Sequence, residues 1–282
     1  MPTRDHTAPP QGRGDRNSPA RRTQRWPWWS LGGHPDRRRP RAGLSELADI
    51  ARVEVHAIED VVDRLDAIRQ VAAATSALGD RDGIASFAAL YRTITASVGA
   101  TRFEDEEFLV RLDLEFARRY LRALDTYAEA PASTPMCWRT QFDRSGDASI
   151  TPIQFAAAGV NAHVNFDLAG ALLTTWATFP PNATRHRDYE RINNIFEAEM
   201  DGLRATFHSL LSAGPDGAVW DRFADWACDL VVRFTRELAW DRALEVYQRS
   251  DVDTAAADML ARLDLVASAL GGLLLATPVL PV

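Results

Sequence analysis

The chain has 282 residues, enough for a substantial hydrophobic core, and all 32 of its Lys+Arg side chains are arginine. Residues 1–43 hold ten arginines against three aspartates, a net +7, whereas the remainder carries 22 arginines against 36 acids, a net −14. Two cysteines, Cys137 and Cys228, exclude a disulfide scaffold or a cysteine-rich zinc site and fit a reducing compartment, so a cytoplasmic location is expected.

Met1 to Gly43 is rich in Pro, Gly and Arg and has no apolar period. It is expected to be a disordered tail, because it cannot bury enough surface to offset its ordering entropy. Trp26, Trp28 and Trp29 stand among its arginines, a composition that suits contact with an anionic membrane or with nucleic-acid bases. The plainer reading is an extension with no task. A twin-arginine export signal is excluded, since Arg21-Arg22 is followed by Thr-Gln-Arg-Trp-Pro-Trp-Trp rather than by an apolar segment.

From residue 44 to 282 the pattern is that of an all-helical domain: a single bundle of about seven helices around a buried central one. The apolar spacing predicts helices at Ser45–Leu78, Ile84–Val98, Asp105–Ala128, Pro152–Phe179, Ala183–Ser212, Ala218–Gln248 and Thr254–Leu275. Gly79, Gly83, Pro131, Pro135, Gly146, Pro180-Pro181 and Gly214-Pro215 punctuate them. Met136 to Ser149 reads as an irregular link. Leu265 to Val282 is uncharged, but Gly271-Gly272, Pro278 and Pro281 interrupt it and it barely reaches the ~17 to 25 residues of a membrane span. It is expected to be a last core helix with a trailing end.

Chemistry concentrates on the fourth of these helices, where Asp167 is the only formal charge between Thr151 and Phe179. At 100° per residue, Gln154, Asn161 and Asn165 fall on one side and His163 with Asp167 on the other. A helix with two polar stripes in an apolar setting must be enclosed by others, and each stripe must meet complementary groups. Asp113 lies near the centre of an apolar face that also carries Phe116, Tyr120 and Tyr127, and Arg236 stands one turn from Trp240.

His163 and Asp167, at i and i+4, can form a hydrogen-bonded pair or give two ligands to one metal. With Asp113 they make an acid–base or divalent-metal set, and Asp167 can instead orient His163 as a general base. Asn161, Asn165, Tyr120 and Arg236 would orient a bound small molecule. The competing reading is that these groups form buried ion pairs and hydrogen bonds that only fix helix packing. His56 and His186 offer no histidine-rich zinc centre. No P-loop, dinucleotide glycine fingerprint, Gly-x-Ser-x-Gly elbow or His-Glu-x-x-His motif is present.

As a set, Ser86–Thr95, Arg102–Asp105, Arg111–Asp113 through Arg119–Leu121, Trp138-Arg139 with Phe142-Asp143, and Gly159–Leu168 resemble a bacterial domain-of-unknown-function family, number 5995. The last segment resembles that family's Asn-Ala-His-x-Asn-x-Asp-Leu signature. The resemblance covers roughly residues 60 to 278 and implies one mostly helical domain, without implying an activity. Ala156 to Ala158 stand where bulkier leucines are expected before the signature, which implies closer helix contact or a cavity beside His163.

Overall fold

Apolar residues at helical spacing, broken by the glycines and prolines named above, produce helices throughout the computed structural model, which describes residues 42–211 and 235–276. These are α1 (Leu44–Arg52), α2 (Ile58–Thr75), α3 (Gly83–Gly99), α4 (Glu106–Glu129) and α5 (Met136–Phe142). They continue as α6 (Pro152–Ala162), α7 (Leu168–Trp176), α8 (Ala183–Leu211), α9 (235–247) and α10 (Val252–Leu274). Among the described residues there is no strand, and no helix is long and apolar enough to cross a membrane. The tail with its tryptophans, Cys228 and residues 218–234 of the sixth expected helix lie outside the described residues.

Three boundaries differ from the sequence expectation. The first helix is two, because the chain turns extended at Val53 and Val55 is fully buried. Asp60 then caps α2 by accepting from the backbone N–H groups of His56 and Ala57 at 2.8 and 3.0 Å, and Arg118 donates to the Val55 carbonyl at 2.8 Å. The irregular link at Met136–Ser149 contains α5, whose first two N–H groups donate to the carboxylate of Asp264 on α10, at 2.9 and 2.8 Å. A seven-residue helix capped from 128 and 127 positions away leaves little local signature.

The third difference bears on the site. Pro152 to Trp176 is not one regular α-helix; His163–Asp167 is a π-helical turn between α6 and α7, closed by the Leu168 N–H bonding to the His163 carbonyl. Such turns insert one extra residue and re-aim the side chains they carry. Thr151 caps α6 and Gln154 reaches back to the Thr151 N–H, a reciprocal pair that fixes where this central helix starts.

The central helix is walled by α3, α4 and α10. Against α3 it approaches closely at Gly159, where any side chain would strike the Phe87 ring. The last helix is only half core: Met259, Ala267 and Gly271 are buried, whereas Leu265, Val266, Leu270 and Leu273 are exposed.

Candidate functional site

The two polar stripes of the central helix meet different neighbours. On one side Gln154 donates to the carbonyls of Leu274 and Ala276, Asn161 donates to the Ala267 carbonyl at 2.7 Å, and Asn165 donates to Asn161 Oδ1 at 2.9 Å. These amides hold α10 and its C-terminal end. Asn161 and Asn165, expected to orient a ligand, therefore spend these hydrogen bonds on each other and on the α10 backbone.

On the other side the His163 and Asp167 side chains are almost fully enclosed and meet at 2.9 Å between Nδ1 and Oδ2. The same Oδ2 accepts from Trp138 Nε1 on α5 at 3.0 Å. A carboxylate bonded in this way to Nδ1 selects the tautomer that leaves Nε2 as an acceptor. The ring is further fixed by Phe116, which stacks on it at 3.4 Å, and by Tyr91, edge-on at 4.6 Å.

His163 Nε2 is buried and accepts no hydrogen bond from the described residues. His163 lines a cavity of about 60 Å³ whose walls are mostly apolar, with Leu90, Ile94 and Val98 from α3, Leu109 and Leu112 from α4, and Ile192 and Phe196 from α8. Its polar lining comes from Tyr91, Thr95, Asp113, His163 and Arg236. The Oδ2 of Asp113 is likewise buried without a hydrogen-bond partner among the described residues, although the residue as a whole keeps partial solvent contact.

Burial dominates the electrostatics. It pushes the Asp113 carboxyl up to about 7, because the ionised form is desolvated there. It holds His163 below its ordinary 6.5, against the pull of the Asp167 carboxylate in the other direction. Burial also raises the Tyr91 hydroxyl well above 10, with the charges of Asp113 and Asp167 adding to it. At neutral pH the cavity thus presents a neutral imidazole acceptor and a carboxyl close to half-protonated. That combination can bind a polar group on a small molecule, and it can accept or donate a proton.

Of the residues expected from sequence, His163, Asp113 and Arg236 line one cavity, and Asp167 stands behind His163. Arg236 donates to Asn193 Oδ1 at 2.7 Å and to the Tyr189 carbonyl at 3.2 Å while its guanidinium lies 4.4 Å from the Tyr189 ring centre. Tyr120 packs among Phe87, Trp138 and Phe142 and does not reach the cavity wall. The expected metal set of His163, Asp167 and Asp113 does not assemble: among the described residues their ligand atoms do not converge as a group of three. Nδ1 of His163 faces the Asp167 carboxylate at 2.9 Å.

Sequence reading passed over Thr95, Phe116 and Trp138 as parts of the site. Thr95 and Tyr91 share one face of α3 at i and i+4, a legible signal. Trp138 reaches Asp167 across 29 residues and a separate helix, which no local pattern announces.

The family model described as a family of unknown function, DUF5995, matches residues 58–277, and the chain belongs to that family. Neither a curated protein nor a solved structure matches it.

Proposed function

We propose that this protein binds a small, mostly apolar molecule in the cavity between α3, α4, the π-turn and α8, with His163 Nε2 as its polar anchor and as the base for any proton transfer. The observation that carries this reading is the buried, unbonded Nε2 of a histidine whose other nitrogen is tied to a carboxylate. Leaving a buried acceptor unpaired costs about 1–3 kcal/mol. A ligand hydroxyl or N–H would recover it. Asp113 would serve as a donor when protonated and as the second proton-transfer group.

Size narrows the ligand. A water needs roughly 10–15 Å³ of such space, so about 60 Å³ accommodates a molecule of about three to five heavy atoms. The apolar wall favours an uncharged molecule with one donor, such as a short alcohol or amide. The competing reading, a polar core that only fixes packing, accounts for Asn161 and Asn165 but not for Nε2. A cytoplasmic location suits Cys137, a buried free thiol that burial pushes up toward the inert protonated form.

The test is a titration with 2-propanol and, separately, xenon, followed by NMR on wild type and His163→Leu. Wild type should bind both, with 2-propanol shifting the Nε2 resonance saturably. His163→Leu should keep xenon and lose most of its 2-propanol affinity. A Nε2 resonance that does not respond, or equal 2-propanol binding by both proteins, would overturn the reading.

A further inference from the structure

A second cluster lies outside the cavity and draws on none of its polar groups. His186 and Glu190 stand one turn apart on α8, Glu237 faces them from α9, and one ligand atom from each lies within 4.8 Å of the other two. His186 Nε2 is 3.3 Å from Glu237 Oε1, yet the nitrogen is buried without a hydrogen bond among the described residues. The imidazole is held against Trp240 at 4.6 Å and near-parallel to Tyr189 at 6.5 Å, so its direction is set by packing before any ligand arrives. The Glu237 side chain is 41% exposed and Glu190 is exposed, which leaves an entry path from solvent.

We propose that His186, Glu190 and Glu237 bind one divalent transition-metal ion, zinc-like in preference, with water completing its coordination. Ligand atoms bonded to zinc at about 2.0–2.1 Å in a tetrahedron stand about 3.3 Å apart, which is the separation of Nε2 and Oε1 here. One imidazole and two carboxylates form a borderline set that favours zinc, manganese or iron over magnesium and calcium, which take oxygen alone. The spacing of His186 and Glu190 at i and i+4 presents both from one helix face. The ion would clamp α8 to α9. Those helices supply Ile192, Phe196 and Arg236 to the cavity wall, so occupancy would steady that wall.

The experiment is calorimetric titration of the metal-stripped full chain with zinc chloride, with cobalt(II) absorption reporting coordination geometry. One equivalent should bind and raise the melting temperature. His186→Ala and Glu237→Gln should each weaken binding at least 10-fold and remove the thermal shift; both side chains are partly exposed, so both variants should fold. His56→Ala, which alters an exposed histidine outside the cluster, should bind as wild type does. Absence of one-equivalent binding, or binding unchanged in His186→Ala, would overturn the proposal.

Discussion

Phe116 lies flat on His163, ring centroids 3.4 Å apart and planes 8° from parallel, while Asp113 sits one turn earlier on the same helix face. One stretch of α4 therefore sets both the plane of the imidazole and the position of the second titratable group. With Nδ1 tied to Asp167, neither rotation nor tilt is left free, and Nε2 keeps a fixed direction.

Removing that stack should enlarge the cavity more than it damages the fold. Phe116 is half-buried, so Phe116→Ala is expected to cost about 2–3 kcal/mol, below the range for a fully buried ring. The added volume should admit benzene, which the present 60 Å³ is too small to hold. A benzene-dependent rise in melting temperature in the variant, absent from wild type, is the expected result; equal response from both would show that the ring does not bound the cavity.

Asp167 has two buried donors to satisfy, Trp138 Nε1 and His163 Nδ1. Asp167→Ala should cost about 2–5 kcal/mol, since both are left unpaired. Asp167→Asn keeps the shape but removes the charge that favours the imidazolium, so the His163 pKa should fall still further below 6.5. The sign follows from linkage. A histidine depressed in the folded state binds its proton first in the unfolded chain, so stability is full above pH 6.5 and declines as pH drops below it. NMR titration of His163 in both proteins checks the order; a rise in the variant would contradict it.

Asp113 acts in the opposite sense. Its carboxyl is raised from 3.8 to about 7, so the folded protein binds the extra proton between those values and loses stability as pH rises through them. The full shift corresponds to about 4 kcal/mol, and partial solvent contact at the residue reduces it to about 1–3 kcal/mol. Asp113→Asn, which never ionises, should therefore equal or fall below wild type at pH 4 and exceed it at pH 8. Urea denaturation at both values measures this; an advantage independent of pH would show an unshifted carboxyl, and a variant less stable than wild type at pH 8 would place the carboxylate in a paired setting.

The parts of this molecule legible in sequence are those carried by local period. Apolar spacing located the helices, and the 100° wheel separated Asn161 and Asn165 from His163 and Asp167, as the structure does. The family resemblance agrees with the match over residues 58–277. What sequence did not show depends on distant partners. The break before α2 rests on Asp60 and on Arg118, α5 on Asp264, and the setting of Asp167 on Trp138. The π-turn was illegible because a five-residue π-helical stretch inside a longer helical pattern carries no period of its own. The same limit hid the His186 cluster, since Glu237 joins it from another helix.

The last helix offers the sharpest test of the asparagine side. Its polar attachments include Asn161 to Ala267, Gln154 to Leu274 and Ala276, Asp264 to the N-terminus of α5, Thr140 to Ser268 and Arg144 to the Leu275 carbonyl. Its outward face carries exposed leucines that add nothing to that attachment. Asn161→Ala leaves the Ala267 carbonyl without this donor and Asn165 without its acceptor, and should cost about 1–3 kcal/mol. Asp264→Ala removes a helix cap and should cost about 1 kcal/mol. Hydrogen exchange should then quicken in α10 and α5 while α3 and α4 stay protected, and the His163 titration should not move. If either substitution shifts that titration, the two stripes are coupled through the π-turn, and the asparagines belong to the site as well as to the scaffold.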